Sequence, residues 1–268
     1  MSLPDTLTGS LPEAWIEPDW PLPVGVRAAC STRRGGQSTG AYDSLNLGDH
    51  VGDDPAAVHA NRAQAQRALG ARPVFMQQVH GAQAARLSAA TPDGVTADAC
   101  VTTERGVACT IMVADCLPLL FAHDSGQAVA AAHAGWRGLA GGVIESALSA
   151  LAREMGQPVG LAAARTRVWL GPCIGPRAFE VGDEVKAAFE ADDAGAAACF
   201  APHAAGAAGK WLGDLQGLAR QRLSALGVAS VHGNDGSHDW CTVRQASLFF
   251  SHRRDRVSGR FAAFIWRD

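Results

Sequence analysis

The sequence predicts an α+β fold with mixed sheets in one domain spanning residues 1–268, and three observations lead there. Strand-like and helix-like stretches mix without the strict βαβ rhythm of a doubly wound sheet. Neighbouring apolar strands are joined by tight turns such as Asp124-Ser125-Gly126, which makes hairpins. No internal repeat and no linker divides the 268 residues, a length that leaves the domain count open by itself.

Residues 1–23, rich in Pro and Trp, read as an arm laid over the surface. Val24 to Ser31 reads as a strand, and in the following Thr32-Arg33-Arg34-Gly35-Gly36 the paired glycines permit a tight turn. Tyr42 to Asp54 is a polar loop too rich in hydrogen-bonding side chains to be a mere linker. A helix then opens with Asp54 as N-cap and Pro55 in the first turn, and stops at Gly70. Pro73 to Val79 is strand-like and delivers His80 to a turn at Gly81. Ala99 to Thr103 and Val107 to Ala114 are strands on either side of Glu104-Arg105-Gly106, and the second leads to Asp115-Cys116. Beyond the hairpin turn, Ala128 to Ala132 is nearly all alanine and valine, as suits a strand covered on both faces, and it ends at His133.

Gly135-Trp136-Arg137-Gly138 precedes a helix of roughly Leu139 to Met155, closed by Gly156. The spacing fits neither a dinucleotide fingerprint nor a P-loop. Glycines before a helix N-terminus nevertheless expose N–H groups to an anion. Arg167 to Leu170 is a short strand running into Gly171-Pro172-Cys173-Ile174-Gly175-Pro176, a rigid loop with a thiol at its centre. A helix follows from Asp183 to about Ala191. Residues 191–209 form an alanine- and glycine-rich insert of low complexity, expected to be mobile and without function. Asp214 caps a helix running to Gly227 with Leu215, Leu218, Leu223 and Leu226 on its buried stripe. Strands at Val228 to His232 and Arg260 to Trp266 complete the chain.

Hydrophobic residues make up 47% and charged residues 18%, which is the composition of a soluble protein with a sizeable core. A formal charge of -3 gives no overall basis for nucleic acid or an anionic membrane as partner, although arginines gathered locally can still hold a small anion. The start of the chain lacks a basic region followed by an apolar run, and no window reaches the ~18 apolar residues of a span. Seven cysteines, odd in number and without a Cys-x-x-Cys pair, argue against a disulfide framework and fit a reducing compartment. A cytoplasmic protein is expected.

The chemistry concentrates on His80, Cys116 and His133, each beside a strand end and a Gly or Pro turn. This set is one ligand short of a closed tetrahedral zinc site, which is the composition of a catalytic one; copper is the main competitor. A metal there can acidify a water or polarise a substrate oxygen, and Asp115 is placed to accept a proton. The alternative is covalent catalysis by Cys173 or Cys116 with His80 or His133 as base. Arg33, Arg62, Arg137 and Arg253 form a third group. Arg33 and Arg137, beside glycine turns, are candidates for holding phosphate or carboxylate. Asn46, between apolar neighbours, is a candidate for reading a hydrogen-bonding edge, or else a turn former.

The strings STRRGG, SLNLGDHVGDDP, QVHG, ADCLPLLF, HAGWRG, GPCIGPRAFEVG and SHRRD resemble the signatures of the laccase-domain family, also called polyphenol oxidase or peptidoglycan editing factor. They run in order from about residue 28 to the C-terminus. Members have been assigned as purine nucleoside phosphorylases with adenosine deaminase activity. The resemblance implies a four-layer αββα sandwich and zinc on His80, Cys116 and His133. It also implies a purine nucleoside in the cleft with phosphate or water as co-substrate, and it leaves the oligomeric state open. Arg33, Asn46, Arg137 and Cys173 are taken as contacts to substrate. The family names disagree, and the residues bear on that disagreement. A laccase reducing oxygen needs several coppers and many imidazoles, whereas this chain has nine histidines and no His-x-His pair. Copper-dependent phenol oxidation and a cysteine amidohydrolase acting on peptidoglycan precursors are the rival expectations.

Overall fold

The computed structural model describes residues 11–203 and 208–268, so the start of the expected arm and residues 204–207 of the expected insert lie outside it. In chain order the strands are β1 (Val26–Cys30), β2 (Arg72–Val74), β3 (Ala84–Arg86), β4 (Ala99–Thr102), β5 (Val107–Val113), β6 (Leu117–His123), β7 (Val129–Ala134), β8 (Thr166–Leu170), β9 (Glu180–Gly182), β10 (Phe200–Pro202), β11 (Lys210–Gly213), β12 (Ser230–Gly233) and β13 (Phe261–Arg267). The helices are α1 (Pro55–Leu69), α2 (Trp136–Ala140), α3 (Val143–Glu154), α4 (Val159–Ala164), α5 (Asp183–Glu190), α6 (Leu215–Ala225) and α7 (His252–Asp255).

Two large sheets carry the fold, one ordered β1-β13-β5-β2 and the other β12-β8-β6-β7-β4-β3, beside a small sheet β10-β11-β9. Both large sheets are mixed: β2 runs parallel to β5, and β3 parallel to β4, among antiparallel neighbours. The period of two along each strand explains the layers. On β5, Val107, Cys109, Ile111 and Val113 face a cluster shared with Leu120, Ala131 and Trp169 of the second sheet. The alternate residues Ala108 and Met112 face outward, into a cluster with Ala65 and Leu69 of α1. On β6, Leu117, Leu119 and Phe121 likewise turn to Ala147, Leu148 and Leu151 of α3. Three apolar interfaces therefore separate four layers, helix on sheet on sheet on helix, as expected. Each inter-sheet side chain is enclosed on all sides, so truncating Ile111 to Ala is expected to cost about 2–5 kcal/mol.

Local signals account for several boundaries. Asp54 accepts a hydrogen bond from Ala56 N–H at 3.0 Å, and Gly70 closes α1 at φ +64°. Asp214 accepts from Gly217 N–H at 2.8 Å and starts α6. Other expectations need correcting. The helix expected over Leu139 to Met155 is broken at Gly141-Gly142 into α2 and α3, with Gly142 at φ +88°. The strand expected over Pro73 to Val79 ends at Val74. Past it the Gln78 side chain takes over the ladder, accepting from Met112 N–H and donating to Met112 O, both at 2.8 Å. Part of the stretch expected to be mobile is built into the core. Asp193 caps a 3-10 turn over Ala194–Cys199, Phe200 is buried, and β10 pairs with β11. Among the described residues no helix is long and apolar enough to cross a membrane.

Candidate active site

The hairpin register sets the first two side chains. His133 on β7 stands opposite Pro118 on β6, so Cys116, two residues before Pro118, lies beside it at the end of the hairpin. His80 comes from the loop after β2, at φ +61°. Its Nε2 lies 3.7 Å from Cys116 Sγ, and one donor atom from each of the three residues falls within 4.8 Å of the others. Gly135 has a steric reason to be glycine: a Cβ there would sit 2.8 Å from His80 Cδ2 and 2.9 Å from Cys116 Sγ. Gly138 likewise would place a Cβ 2.7 Å from Gly81 O. The glycines of this turn thus serve close packing around the cluster.

Asp98 organises the cluster, and sequence reasoning missed it. Its fully buried carboxylate accepts from Val79 N–H at 3.1 Å, His80 N–H at 2.9 Å and Gly81 N–H at 2.7 Å, while Oδ1 also pairs with His133 Nδ1 at 2.8 Å. One side chain therefore shapes the His80 loop and orients the His133 ring. Burial alone would raise its pKa, but His133 and the backbone donors outweigh that and hold it below the usual carboxylate range. The available signal was a charged residue between Ala97 and Ala99 at the head of an apolar strand, where a carboxylate must find donors.

Burial would also raise the Cys116 thiol, yet the charge and hydrogen bonds of His133, then of His80, bring it down to about 6. Burial would lower His133, and Cys116 and Asp98 instead lift it to about 9. Without a metal the pair is a thiolate beside an imidazolium near neutral pH. The donor set also fits a metal. With His133 Nδ1 engaged by Asp98, Nε2 is left for coordination, in the carboxylate–histidine–metal arrangement typical of such sites. Zinc bonds of about 2.0–2.3 Å put tetrahedral ligand atoms about 3.3–3.8 Å apart, which matches the 3.7 Å between Cys116 Sγ and His80 Nε2.

The cluster forms one wall of a cleft of about 410 Å³. Met112, Ile174, Phe179 and Leu215 supply apolar surface, Arg137, Arg253, Arg256 and Arg260 supply cations, and the imidazoles of His50 and His252 also line it. Among the described residues Asp115 is the one carboxylate lining it, and each of its oxygens accepts a hydrogen bond: Thr242 Oγ1 donates to Oδ1 and Arg253 N–H to Oδ2, each at 2.6 Å. Held at φ +95°, Asp115 ties the turn between β5 and β6 to Thr242 and to α7.

The other expected contacts separate. Arg137 lines the cleft, stacked 4.3 Å over the Trp136 ring. Arg253 lines it too, with Nη1 donating to Glu180 O at 3.0 Å. Arg33 does not: its Nε and Nη1 donate to Asp43 O and Ala246 O, and its guanidinium lies 4.6 Å over Phe250 in a different hollow. Arg62 is consumed by Leu47 O at 2.9 Å and Asp49 at 3.1 Å. Asn46 is buried, with every bond internal. Its Oδ1 accepts from Gly48 and Arg260 N–H, and its Nδ2 donates to Gly48 O and Asp53. Cys173 is enclosed between Gln216 Oε1 and Asn234 Nδ2, each 3.4 Å from Sγ, and burial raises its pKa well above the thiol range, so it is neither substrate contact nor nucleophile. Arg256 and Arg260 escaped notice because tail arginines carry no local mark of facing a cleft.

A family model described as multi-copper polyphenol oxidoreductase laccase matches residues 27–268. The chain is 49% identical over 254 residues to the purine nucleoside phosphorylase PA4543 of Pseudomonas aeruginosa, covering 94% of this chain and 98% of that one. It is 47% identical over 253 residues to the purine nucleoside phosphorylase YfiH of Escherichia coli K12, with the same shares covered. The crystal structure of Neisseria meningitidis protein NMB0706 superposes with a TM-score of 0.85 at 44% identity, covering 96% of this chain and all of that one.

Proposed function

The chain belongs to the family described as multi-copper polyphenol oxidoreductase laccase, and on that premise we propose that it is a zinc-dependent purine nucleoside phosphorylase with adenosine deaminase activity, acting in the cytoplasm. Its substrates are adenosine, inosine or methylthioadenosine together with phosphate; nucleic acid and membranes are not partners. The observation that carries this reading is a three-donor His–Cys–His cluster in a cleft whose other charged walls are arginine and whose single carboxylate is already bonded.

In phosphorolysis a phosphate oxygen bonds to C1′ of the sugar as the C1′–N9 bond breaks. Its electron pair passes to the purine, which takes a proton, giving free base and sugar 1-phosphate. The arginines hold and neutralise the phosphate, and Met112, Ile174 and Phe179 give the base an apolar seat and exclude water. His80, Cys116 and His133 would hold the metal, and Asp98 keeps the His133 proton on Nδ1. Zinc bound there supplies a positive charge that polarises an oxygen or acidifies a water, which serves deamination at C6 with loss of ammonia.

The His80, Cys116 and His133 group is the one set of three or more possible ligands among the described residues. That favours zinc over copper-dependent phenol oxidation, since four-electron reduction of oxygen calls for several coppers. The low Cys116 pKa favours one second reading, a thiol amidohydrolase in the metal-free protein. Incubation of metal-analysed protein with each nucleoside, with and without phosphate, tests the proposal. Phosphate-dependent release of base and conversion of adenosine to inosine are expected; no base and no inosine under any condition would sink it. Oxygen uptake scaling with copper would favour the phenol oxidase.

A further inference from the structure

The cleft arginines differ in exposure and in how the chain holds them, and the difference singles out one. Arg137 and Arg256 are exposed, Arg137 lying over Trp136, and Arg253 gives one N–H to Glu180 O. Arg260 is partly buried, and among the described residues no carboxylate lies within ion-pair distance of it. Its Nη1 donates to Ser258 O at 2.9 Å, Gly259 O at 3.0 Å and Ser258 Oγ at 3.4 Å, while Nε and Nη2 have no partner among the described residues. A partly buried guanidinium with two unused donors and no carboxylate in ion-pair contact is suited to take up a visiting anion.

The surroundings hold this side chain in one place. Asn46 Oδ1 accepts from Arg260 N–H at 2.8 Å, and Arg260 O accepts from Leu47 N–H at 2.9 Å. Any Cβ on Gly48 would come within 2.8 Å of Arg260 Cγ. The loop from Leu45 to Gly48 therefore fits against Arg260 from the side away from solvent. Asp115, which lines the same cleft, accepts from Thr242 Oγ1 and Arg253 N–H and makes no ion pair with Arg260.

We propose that Arg260, aligned by Asn46, is the anchor of the phosphate co-substrate, with Arg256 beside it and with Arg137 in a secondary position. Asn46 is on this account a positioning residue that acts through Arg260 and touches no substrate. The assignment rests on the phosphorylase reading for its reaction, but the anion site can be measured apart from turnover.

The experiment uses the full metal-loaded chain and inorganic phosphate. Steady-state kinetics with inosine are compared for wild type, Arg260→Gln, Arg260→Lys, Asn46→Ala and Arg137→Gln, with Arg33→Gln as a control outside the cleft. Arg260→Gln is expected to raise the KM for phosphate at least about tenfold, with the KM for inosine within about twofold. Arg260→Lys keeps the charge but not the forked donors, so it falls between the two, and it carries the comparison if the glutamine variant does not fold. Asn46→Ala raises the phosphate KM by about threefold and leaves the inosine KM alone. An unchanged phosphate KM in both Arg260 variants, or a larger rise in Arg137→Gln, overturns the proposal. If wild type shows no phosphorolysis, equilibrium dialysis of phosphate decides independently. Binding lost in Arg260→Gln and kept in Arg33→Gln upholds the anion site while the phosphorylase reading fails; equal binding, or none to wild type, overturns the site as well.

Discussion

Cys116 and Cys173 look alike in the chain and opposite in the molecule. Each follows an apolar strand, and each lies beside a glycine- or proline-bearing turn. Cys116 meets two imidazoles at a cleft wall, and its thiol is brought down to about 6 despite burial. Cys173 lies in the core between two amides and near the carboxylates of Asp214 and Asp115, where burial first and those charges next push its pKa up. Reactivity is thus a property of the neighbours' charge, and burial by itself makes a thiol inert. The same lesson separates Asp98, whose bonds join the His80 loop to the His133 ring, from Asp115, whose bonds join Thr242 and α7.

The largest expected effect comes from deleting the reactive member. Cys116→Ala, or His133→Ala, is expected to lower nucleoside cleavage by more than about 100-fold and to remove the bound metal, because an outer partner alone is worth about 10–100-fold. Metal analysis and kcat/KM on the same preparation check this, and full activity in a metal-free Cys116→Ala protein would break the contrast. Asp98→Asn comes next. The amide keeps the shape but cannot accept equally from His133 and three N–H groups, so metal affinity and activity are expected to fall about 10–100-fold. A chelator competition titration reads the affinity directly.

A pH series on chelated protein probes the thiols themselves. Because the Cys116 pKa is depressed, its reactive thiolate is mostly present at pH 7 and is lost as pH falls through about 6. Its alkylation rate is therefore expected to drop roughly tenfold between pH 7 and pH 5, with Cys173 unmodified throughout. Mass mapping of iodoacetamide adducts distinguishes the two. An adduct on Cys173 in folded protein, or a Cys116 rate still climbing steeply above pH 8, would contradict the electrostatic account.

What the sequence made legible is local. The cap at Asp54, the stop at Gly70 and the hairpin through Asp124-Ser125-Gly126 are each written within a few neighbouring residues. Cys116 and His133 were legible for a similar reason, since a polar donor at the end of an apolar strand stands out, whereas His80 lies in a loop six residues past its strand. Asp98 and Arg260 owe their roles to contacts with loops far off in sequence. The Arg260 N–H bond to Asn46 joins residues 214 apart, and no local pattern announces it. Arg33 is taken up by the carbonyls of Asp43 and Ala246 instead of facing the cleft, and Asn46 is the turn former, its Oδ1 accepting from Gly48 N–H two residues on.

The smallest expected effect tests the inert side of the contrast. Cys173→Ala removes a buried sulfur that contacts Gln216 and Asn234 but leaves the cleft wall, formed here by the neighbouring Ile174, in place. The cost is a small cavity and the loss of two weak sulfur hydrogen bonds, one to Gln216 Oε1 and one from Asn234 Nδ2, whose bond to Gly171 O at 2.9 Å persists. A loss of about 1–2 kcal/mol follows, or roughly 2–4 °C in Tm for a chain of this size. Metal content and kcat/KM should stay within about twofold, because Asn234 holds the loop through Gly171 and the thiol is remote from ionisation. A Cys173→Ala protein with an unshifted Tm but abolished turnover would reverse the assignment. It would make the buried sulfur the nucleophile and the cluster at the cleft wall its support.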